Sequence, residues 1–152
     1  MRRLNLGCGY DILPGWINTD ITDIEGVDVV HDLDTGPWPW ADESINEVRA
    51  VDVFEHVEYP ILFMNEVHRI LKPGGFLRLR SPHWRHENAY TDPTHRRYCT
   101  EKTWDYWCDG TEFHKKYGQA YCNQDVKFGK VSLELTDGSS NISVVLRRLG
   151  AQ

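Results

Sequence analysis

Histidine and aspartate side chains gather in one segment, SPHWRHENAYTDPTHRRY, directly after an apolar run typical of a buried strand. Imidazole and carboxylate groups can take up a proton during catalysis when their pKa suits the working pH. His83 is our first candidate for such a general base, because the strand predicted over 75–80 ends next to it. Asp92 and His95 stand three residues apart across the DPTH turn and could form an orienting pair. We therefore predict catalytic roles for His83, Asp92 and His95.

The same residues also have structural interpretations. Asp92 could simply open the Asp-Pro turn, and His86 could be a surface residue. A metal site built from His83, His86 and His95 with Asp92 is conceivable, but its spacing matches no common zinc motif. The sequence therefore predicts no metal site.

The elements that must position this segment are short strands and one clear helix. We predict strands over 3–6, 16–20, 27–31, 46–51 and 75–80. A helix is predicted over 59–71, where apolar residues recur at steps of three and four. Alternating apolar residues on both sides of Asp137-Gly138 indicate a final β-hairpin. The pattern predicts an α/β fold with a mostly parallel sheet that ends in an antiparallel hairpin.

The length of 152 residues fits a single domain over 1–152. Residues 81–125 form a long insertion before the hairpin and hold three of the six tryptophans and four of the seven histidines. Long excursions at the carboxyl edge of an α/β sheet usually build the substrate site, so we place it there. Tyr90 and Tyr98 could stack on a planar substrate, whereas Trp84, Trp104 and Trp107 fit the core of a lid.

Charge is unevenly distributed along the chain. The net charge of -6 argues against general nucleic-acid binding, but residues 78–102 carry six Lys and Arg against three acids. This local excess could attract an anionic substrate, or it could be an ordinary solvated face. The four cysteines form no C-x-x-C pair, and no apolar run could span a bilayer, so we expect free thiols, a cytoplasmic location and no membrane partner.

A glycine-rich turn, LNLGCG, follows the first strand, and an acid ends each of the next two strands. Asp20, at the end of the second strand, is placed to accept hydrogen bonds from ribose hydroxyls. A dinucleotide-binding turn would need a third glycine where the chain has Ile12. A nucleoside without a pyrophosphate therefore fits better than a nicotinamide dinucleotide.

These motifs, together with WADESINEVRAVDVFEHVEYP and EVHRILKPGG, resemble the class I S-adenosylmethionine (SAM)-dependent methyltransferases of the type-11 kind. The likeness covers roughly the first 80 residues, and the terminal hairpin is similar to the reversed last strands of that family. The resemblance implies a Rossmann-like, seven-stranded sheet that binds SAM across its carboxyl edge and releases S-adenosylhomocysteine (SAH).

The resemblance also implies the cofactor contacts. The methionine and ribose side would be lined by Leu6, Gly7, Cys8 and Gly9, with Asp20 at the ribose hydroxyls. The adenine would lie near Ile21, Asp32 and Leu33, and the methionine tail near Val51 and Asp52. His56 matches a histidine of the family's LEH stretch and could equally be structural.

The chain departs from the family in its first crossover. Only thirteen positions separate Gly7 from Asp20, so the usual first helix must be very short or absent. One face of the sheet would then be thinly covered, and a partner subunit, as in a homodimer, could cover it.

The resemblance implies methyl transfer to an oxygen or nitrogen of a small or anionic acceptor. Alternatives are a SAM-binding protein without transferase activity, acting as a sensor or regulatory subunit, and a nucleic-acid or protein methyltransferase. The basic, aromatic segment supports a nucleic-acid acceptor, but no NPPY-like motif follows the fourth strand.

Overall fold

Seven strands form one mixed sheet in the computed structural model, which describes residues 1–150. The strands are β1 (Arg3–Leu6), β2 (Ile17–Asp20), β3 (Val29–Val30), β4 (Ile45–Val51), β5 (Leu71–Pro82), β6 (Phe128–Thr136) and β7 (Asn141–Arg148). Their order across the sheet is β3-β2-β1-β4-β5-β7-β6. The first five strands pair in parallel, and β7 pairs antiparallel with both β5 and β6. The predicted fold, a mostly parallel sheet ending in a hairpin, is confirmed.

The third strand is shorter than the sequence indicated. Only Val29 and Val30 pair with β2, whereas the prediction covered 27–31. The Asp28 carboxylate accepts a 2.7 Å hydrogen bond from the backbone N–H of Asn18. At the start of this edge strand the N–H of Asn18 thus bonds to a side chain and not to a backbone carbonyl oxygen.

One helix, α1 (Pro60–Ile70), connects β4 to β5 and forms the predicted crossover. Proline occupies its first turn, where a missing N–H costs no helical hydrogen bond. Phe63, Met64, Val67 and Ile70 are fully buried against the sheet. The chain becomes extended at Leu71, and Lys72–Gly75 then bulge out before regular pairing resumes at Phe76.

The two faces of the sheet differ in chemistry. Val48 and Leu77 lie side by side in the core, while their neighbours Glu47 and Arg78 form an ion pair on the other face, with 2.5 Å between Oε1 and Nε. Strands of parallel sheets are usually apolar on both faces, because helices cover each of them. Within residues 1–150 no helix lies between β1 and β2, as the short spacing predicted. Ion pairs make the uncovered face compatible with water, so the face by itself does not require a partner subunit.

The segment between β5 and β6 packs onto the edge of the sheet. It contains α2 (Asn88–Thr91), a 3₁₀ turn (Thr103–Trp107), a π-helical turn (His114–Gly118) and α3 (Gln119–Tyr121). Trp104 and Trp107 are buried in the main core, in agreement with their interpretation as core residues, whereas Trp84 is 37% exposed and does not belong to it. The four cysteines are free, and no helix in the described part of the chain has the length and apolarity needed to cross a membrane.

Candidate functional site

The glycine turn after β1 lies beside the end of β2. Gly7 has φ +57°, and a Cβ added there would lie 2.5 Å from Cγ2 of Val53. The N–H of Gly9 donates to Oδ2 of Asp20 at 2.8 Å, and the N–H of Thr22 donates to Oδ1 at 2.9 Å. Each carboxylate oxygen retains a free lone pair, so Asp20 is held in place and can still accept from a ligand.

A pocket of about 350 Å³ opens at this carboxyl edge and is called the first pocket below. Its size is in the range of ligand sites. It is lined by Gly7, Asp20, Ile21, His31, Asp32, Leu33, Asp34, Asp52, Val53, His56 and Val57. Seven of the eleven residues predicted to bind the cofactor are in this lining; His31, Asp34, Val53 and Val57 were not predicted.

The other four predicted residues do not line the first pocket. Leu6 and Cys8 are buried, and burial raises the pKa of the Cys8 thiol. Gly9 contributes its backbone N–H to Asp20, and Val51 ends β4 half-buried. Their roles in cofactor binding stay predictions.

Asp52 follows β4 in an unusual backbone conformation. Its φ is +55°, which lies in a backbone region that residues other than glycine rarely adopt and that is often found at functional sites. Arg80 of the adjacent strand pairs with its carboxylate, with 3.2 Å between Nε and Oδ1. This pairing raises the pKa of the Arg80 guanidinium. Asp52 is thus fixed at the edge of the first pocket.

A second pocket of about 550 Å³ adjoins the first. It is lined by Asp52, Glu55, His56, Pro82, Asn88, Thr91, Asp92, Pro93 and His95. Asp52 and His56 belong to both linings and form the wall between the two pockets. The structure thus brings the predicted residues Asp92 and His95 to the cofactor edge.

His83 lies apart from both pockets. Its side chain is buried, and its Nε2 lies 3.4 Å from Oε2 of Glu101. The prediction assumed that the strand ended at Arg80, but β5 continues to Pro82 and His83 forms a bridge with Cys99. This longer strand carries the imidazole into the protein rather than into the pocket.

Glu55 is the site residue that the sequence analysis missed. It is 1% exposed, and its Oε2 accepts a 2.9 Å hydrogen bond from Oγ of Ser81. Its Oε1 has no hydrogen-bond partner. Burial raises the pKa of this carboxyl to about 7. In the sequence Glu55 looks like a surface residue. The only indication that it could belong to a site was its position three residues after Asp52, beyond the end of β4.

Two histidines lie against Glu55. The rings of His56 and His95 meet edge to face, with centroids 4.6 Å apart. Nδ1 of His95 lies 2.9 Å from the carbonyl oxygen of Ala89, which can only accept, so this nitrogen carries the proton. Burial and the neighbouring His95 lower the pKa of His56. Potential ligand atoms of Glu55, His56 and His95 all lie within 4.8 Å of one another.

A larger cavity of about 640 Å³ lies elsewhere, beside α1 and residues 123–127. Its lining includes His68 and Arg148 but none of the predicted site residues. It lies toward the amino-terminal end of β5, since the Arg148 guanidinium donates to the carbonyl oxygen of Leu71, the first residue of that strand. Ligands of open α/β sheets bind at the carboxyl ends of the strands, which favours the first and second pockets.

The comparisons with known proteins concern the family and the fold. Residues 8–79 match the family model described as a methyltransferase domain, and none of the curated proteins matches the sequence. A SAM-dependent methyltransferase from Archaeoglobus fulgidus superimposes with a TM-score of 0.73 at 16% identity, covering 96% of this chain and 86% of that one.

Two further solved structures share the fold. A chain from the complex between the Trm112 methyltransferase activator of Haloferax volcanii and its methyltransferase has a TM-score of 0.65 at 16% identity, covering 98% of this chain and 83% of that one. The [4+2]-cyclase SpnF has a TM-score of 0.68 at 14% identity, covering 99% of this chain and 75% of that one. At these identities the likeness establishes the fold, and a cyclase among the neighbours means that the fold alone does not establish the reaction.

Proposed function

We propose that this chain is a class I SAM-dependent methyltransferase that methylates an oxygen or nitrogen of a small or anionic acceptor. Residues 8–79 match the model of a methyltransferase domain, and the fold is similar to that of a SAM-dependent methyltransferase. SAM is the cofactor of this family and supplies an electrophilic methyl carbon on a sulfonium. The observation that carries the proposal is the common wall of Asp52 and His56 between two adjoining pockets. One pocket can hold the donor and the other the acceptor, with the transfer path across that wall.

In this proposal the first pocket binds the cofactor. The Asp20 carboxylate accepts the ribose hydroxyls, because two backbone N–H groups already hold it in one orientation. Ile21, Asp32 and Leu33 contact the adenine, and Asp52 faces the methionine end. Methyl transfer is an in-line displacement, so the contribution of these residues is alignment in a pocket with restricted water.

The second pocket holds the acceptor in this proposal. Nδ1 of His95 is protonated, so Nε2 carries the lone pair and can take a proton from the acceptor. Oδ2 of Asp92 lies 4.0 Å from Nε2, so its negative charge would stabilise the imidazolium that forms when His95 takes the proton. His83 is not assigned to this step, because its ring lies outside the pocket lining.

A nucleic-acid acceptor is the second candidate, and one surface favours it. The Tyr90 and Tyr98 rings lie 4.5 Å apart and are 55% and 52% exposed, and Arg85 lies over the Trp84 ring. Exposed aromatic rings with an adjacent guanidinium can stack on unpaired bases. The net charge of -6 opposes this candidate, so we rank it second.

An acceptor screen tests the proposal. Purified protein is titrated calorimetrically with SAM and SAH, and SAH release is then followed with pools of hydroxy acids, amines and single-stranded oligonucleotides. Micromolar binding, about -8 kcal/mol, with SAH released in a small-molecule pool supports the proposal. Release with oligonucleotides alone favours the second candidate, and binding without product in any pool favours a SAM-binding protein without transferase activity.

A further inference from the structure

Glu55, His56 and His95 line the second pocket together, and each offers one potential ligand atom within 4.8 Å of the other two. We propose that these three side chains form a binding site for a divalent transition-metal ion. The proposal differs from the sequence prediction of no metal site, which considered His83, His86 and Asp92 instead of Glu55 and His56. Two histidines and one carboxylate are a donor set that binds zinc, iron(II) and related ions and leaves coordination positions open.

The hydrogen bonds around His56 prepare one of its nitrogens to bind a metal. Oγ1 of Thr94 lies 2.6 Å from Oδ1 of Asp92 and 2.9 Å from Nδ1 of His56. A carboxylate can only accept, so the single hydroxyl proton of Thr94 goes to Asp92. Nδ1 of His56 must then donate to Thr94, which leaves the lone pair on Nε2.

His95 is prepared in the same way. Its Nδ1–H donates to the carbonyl oxygen of Ala89, so its lone pair also lies on Nε2. Metal-binding histidines almost always donate their second ring nitrogen to a carbonyl, carboxylate or similar group, which fixes the tautomer and the ring orientation. Both histidines therefore have the outer hydrogen bonds of metal ligands.

Glu55 supplies the negative charge of the site. Oε2 is held by Ser81, while Oε1 is buried and has no partner. A buried polar atom without a partner is costly and calls for an explanation, such as a bound ion. At ligand distances of about 2.0–2.2 Å the three donor atoms would stand roughly 3–3.5 Å apart, so side chains now within 4.8 Å would close slightly around the ion.

The ion would lie next to the transfer path, since His56 belongs to the wall shared by the two pockets. A role of the ion in catalysis rests on the proposed methyl transfer, and it restricts the acceptor to a compound with a hydroxyl group. A divalent ion lowers the pKa of a bound hydroxyl but occupies the lone pair that an amine needs for attack. The acceptor oxygen loses its proton to Asp92, forms the new O–C bond, and the C–S bond breaks to leave SAH. Asp92 takes the place of His95 as the proton acceptor, because the ion occupies Nε2 of His95.

Cobalt(II) tests the site without any methyl transfer. We expect the chelator-treated protein to bind one Co²⁺, with visible d–d absorption typical of bound imidazole nitrogen, and Zn²⁺ to displace it. Glu55→Gln and His95→Gln should each weaken Co²⁺ binding at least tenfold, in variants whose thermal unfolding shows that they remain folded. His86→Gln, in the same segment but outside the cluster, should bind Co²⁺ like the unaltered protein.

Thr94 provides a matched pair for the tautomer argument. Thr94→Val should weaken Co²⁺ binding by about 10-fold or more, as is usual for a lost outer hydrogen bond, while Thr94→Ser should bind normally. Absence of a d–d band with excess Co²⁺, or a band that is unchanged in Glu55→Gln and His95→Gln, would overturn the proposal.

SAH titration of the same samples separates the two proposals. Protein that binds SAH but no Co²⁺ contradicts the metal site alone, and protein that binds Co²⁺ but no SAH contradicts the cofactor assignment alone. With an active hydroxyl acceptor, added Zn²⁺ or Co²⁺ should increase SAH release by the chelated protein; release that is independent of metal would contradict the role in acceptor activation.

Discussion

Replacing Asp20 with alanine should weaken cofactor binding strongly. The carboxylate is expected to accept hydrogen bonds from the two ribose hydroxyls, and a hydrogen bond to a charged group contributes about 1.5–3 kcal/mol. Since 1.4 kcal/mol changes a dissociation constant tenfold, the loss of one to two such bonds should raise the Kd for SAH by about 10- to 100-fold or more. The effect should appear in calorimetric titrations with both SAM and SAH.

The structure provides a second contribution to this loss. Asp20 also accepts from the N–H groups of Gly9 and Thr22, so alanine leaves these donors of the glycine turn without their partner. Asp20→Asn keeps the shape and one carbonyl oxygen, so it should weaken SAH binding less than alanine does. Both variants should remain folded, which their thermal unfolding can verify.

Asp23→Ala is the matched control, because Asp23 is an exposed acid of the same loop that does not line the first pocket. It should bind SAH like the unaltered protein. Equal SAH affinity for Asp20→Ala and the unaltered protein would refute the assignment of Asp20 to the ribose. A loss of the same size in Asp23→Ala would show that general charge, not a specific contact, controls binding.

Two further predictions concern the glycine turn and pH. Gly7→Ala places a Cβ 2.5 Å from Val53 in a backbone region that favours glycine, so it should lower the free energy of unfolding by about 1–3 kcal/mol and weaken SAH binding. Adding Val53→Ala to this variant should partly restore both stability and SAH affinity. If urea unfolding and calorimetry show no recovery in the double variant, a clash between the two side chains is not the cause. Burial lowers the pKa of His68 from 6.5 to about 4, so the native state binds fewer protons than the unfolded state between these values. The free energy of unfolding should therefore fall by about 2 kcal/mol as the pH drops from 6.5 to 4. Urea titrations of His68→Gln should show a smaller fall, and an unchanged pH dependence would contradict the assignment to His68.

Much of the fold could be predicted because its elements have simple apolar patterns. The helix over Pro60–Ile70 has apolar residues at steps of three and four, and β6 and β7 alternate around a turn. The start of β3 was less predictable, since the N–H of Asn18 donates there to the side chain of Asp28 and not to a backbone carbonyl oxygen. Such a side-chain bond leaves no periodic signal in the sequence.

The candidate site was predicted where strand ends determine position. Asp20, Asp32 and Asp52 each follow a strand, and parallel strands bring their carboxyl ends to one edge. Glu55 was missed, because the sequence does not distinguish a buried glutamate from an exposed one. Only the tertiary structure shows that Ser81 donates a hydrogen bond to the Glu55 carboxylate. His83 was misplaced because β5 runs on to Pro82, past the predicted end at Arg80, and His83 then bridges to Cys99 inside the protein.

A crystal structure of the protein with bound SAH tests the central claim most directly. We expect the nucleoside in the first pocket, its ribose hydroxyls on the Asp20 carboxylate, and its sulfur toward the wall formed by Asp52 and His56. SAH bound in the cavity beside His68, or a sulfur that points away from the second pocket, would contradict the account.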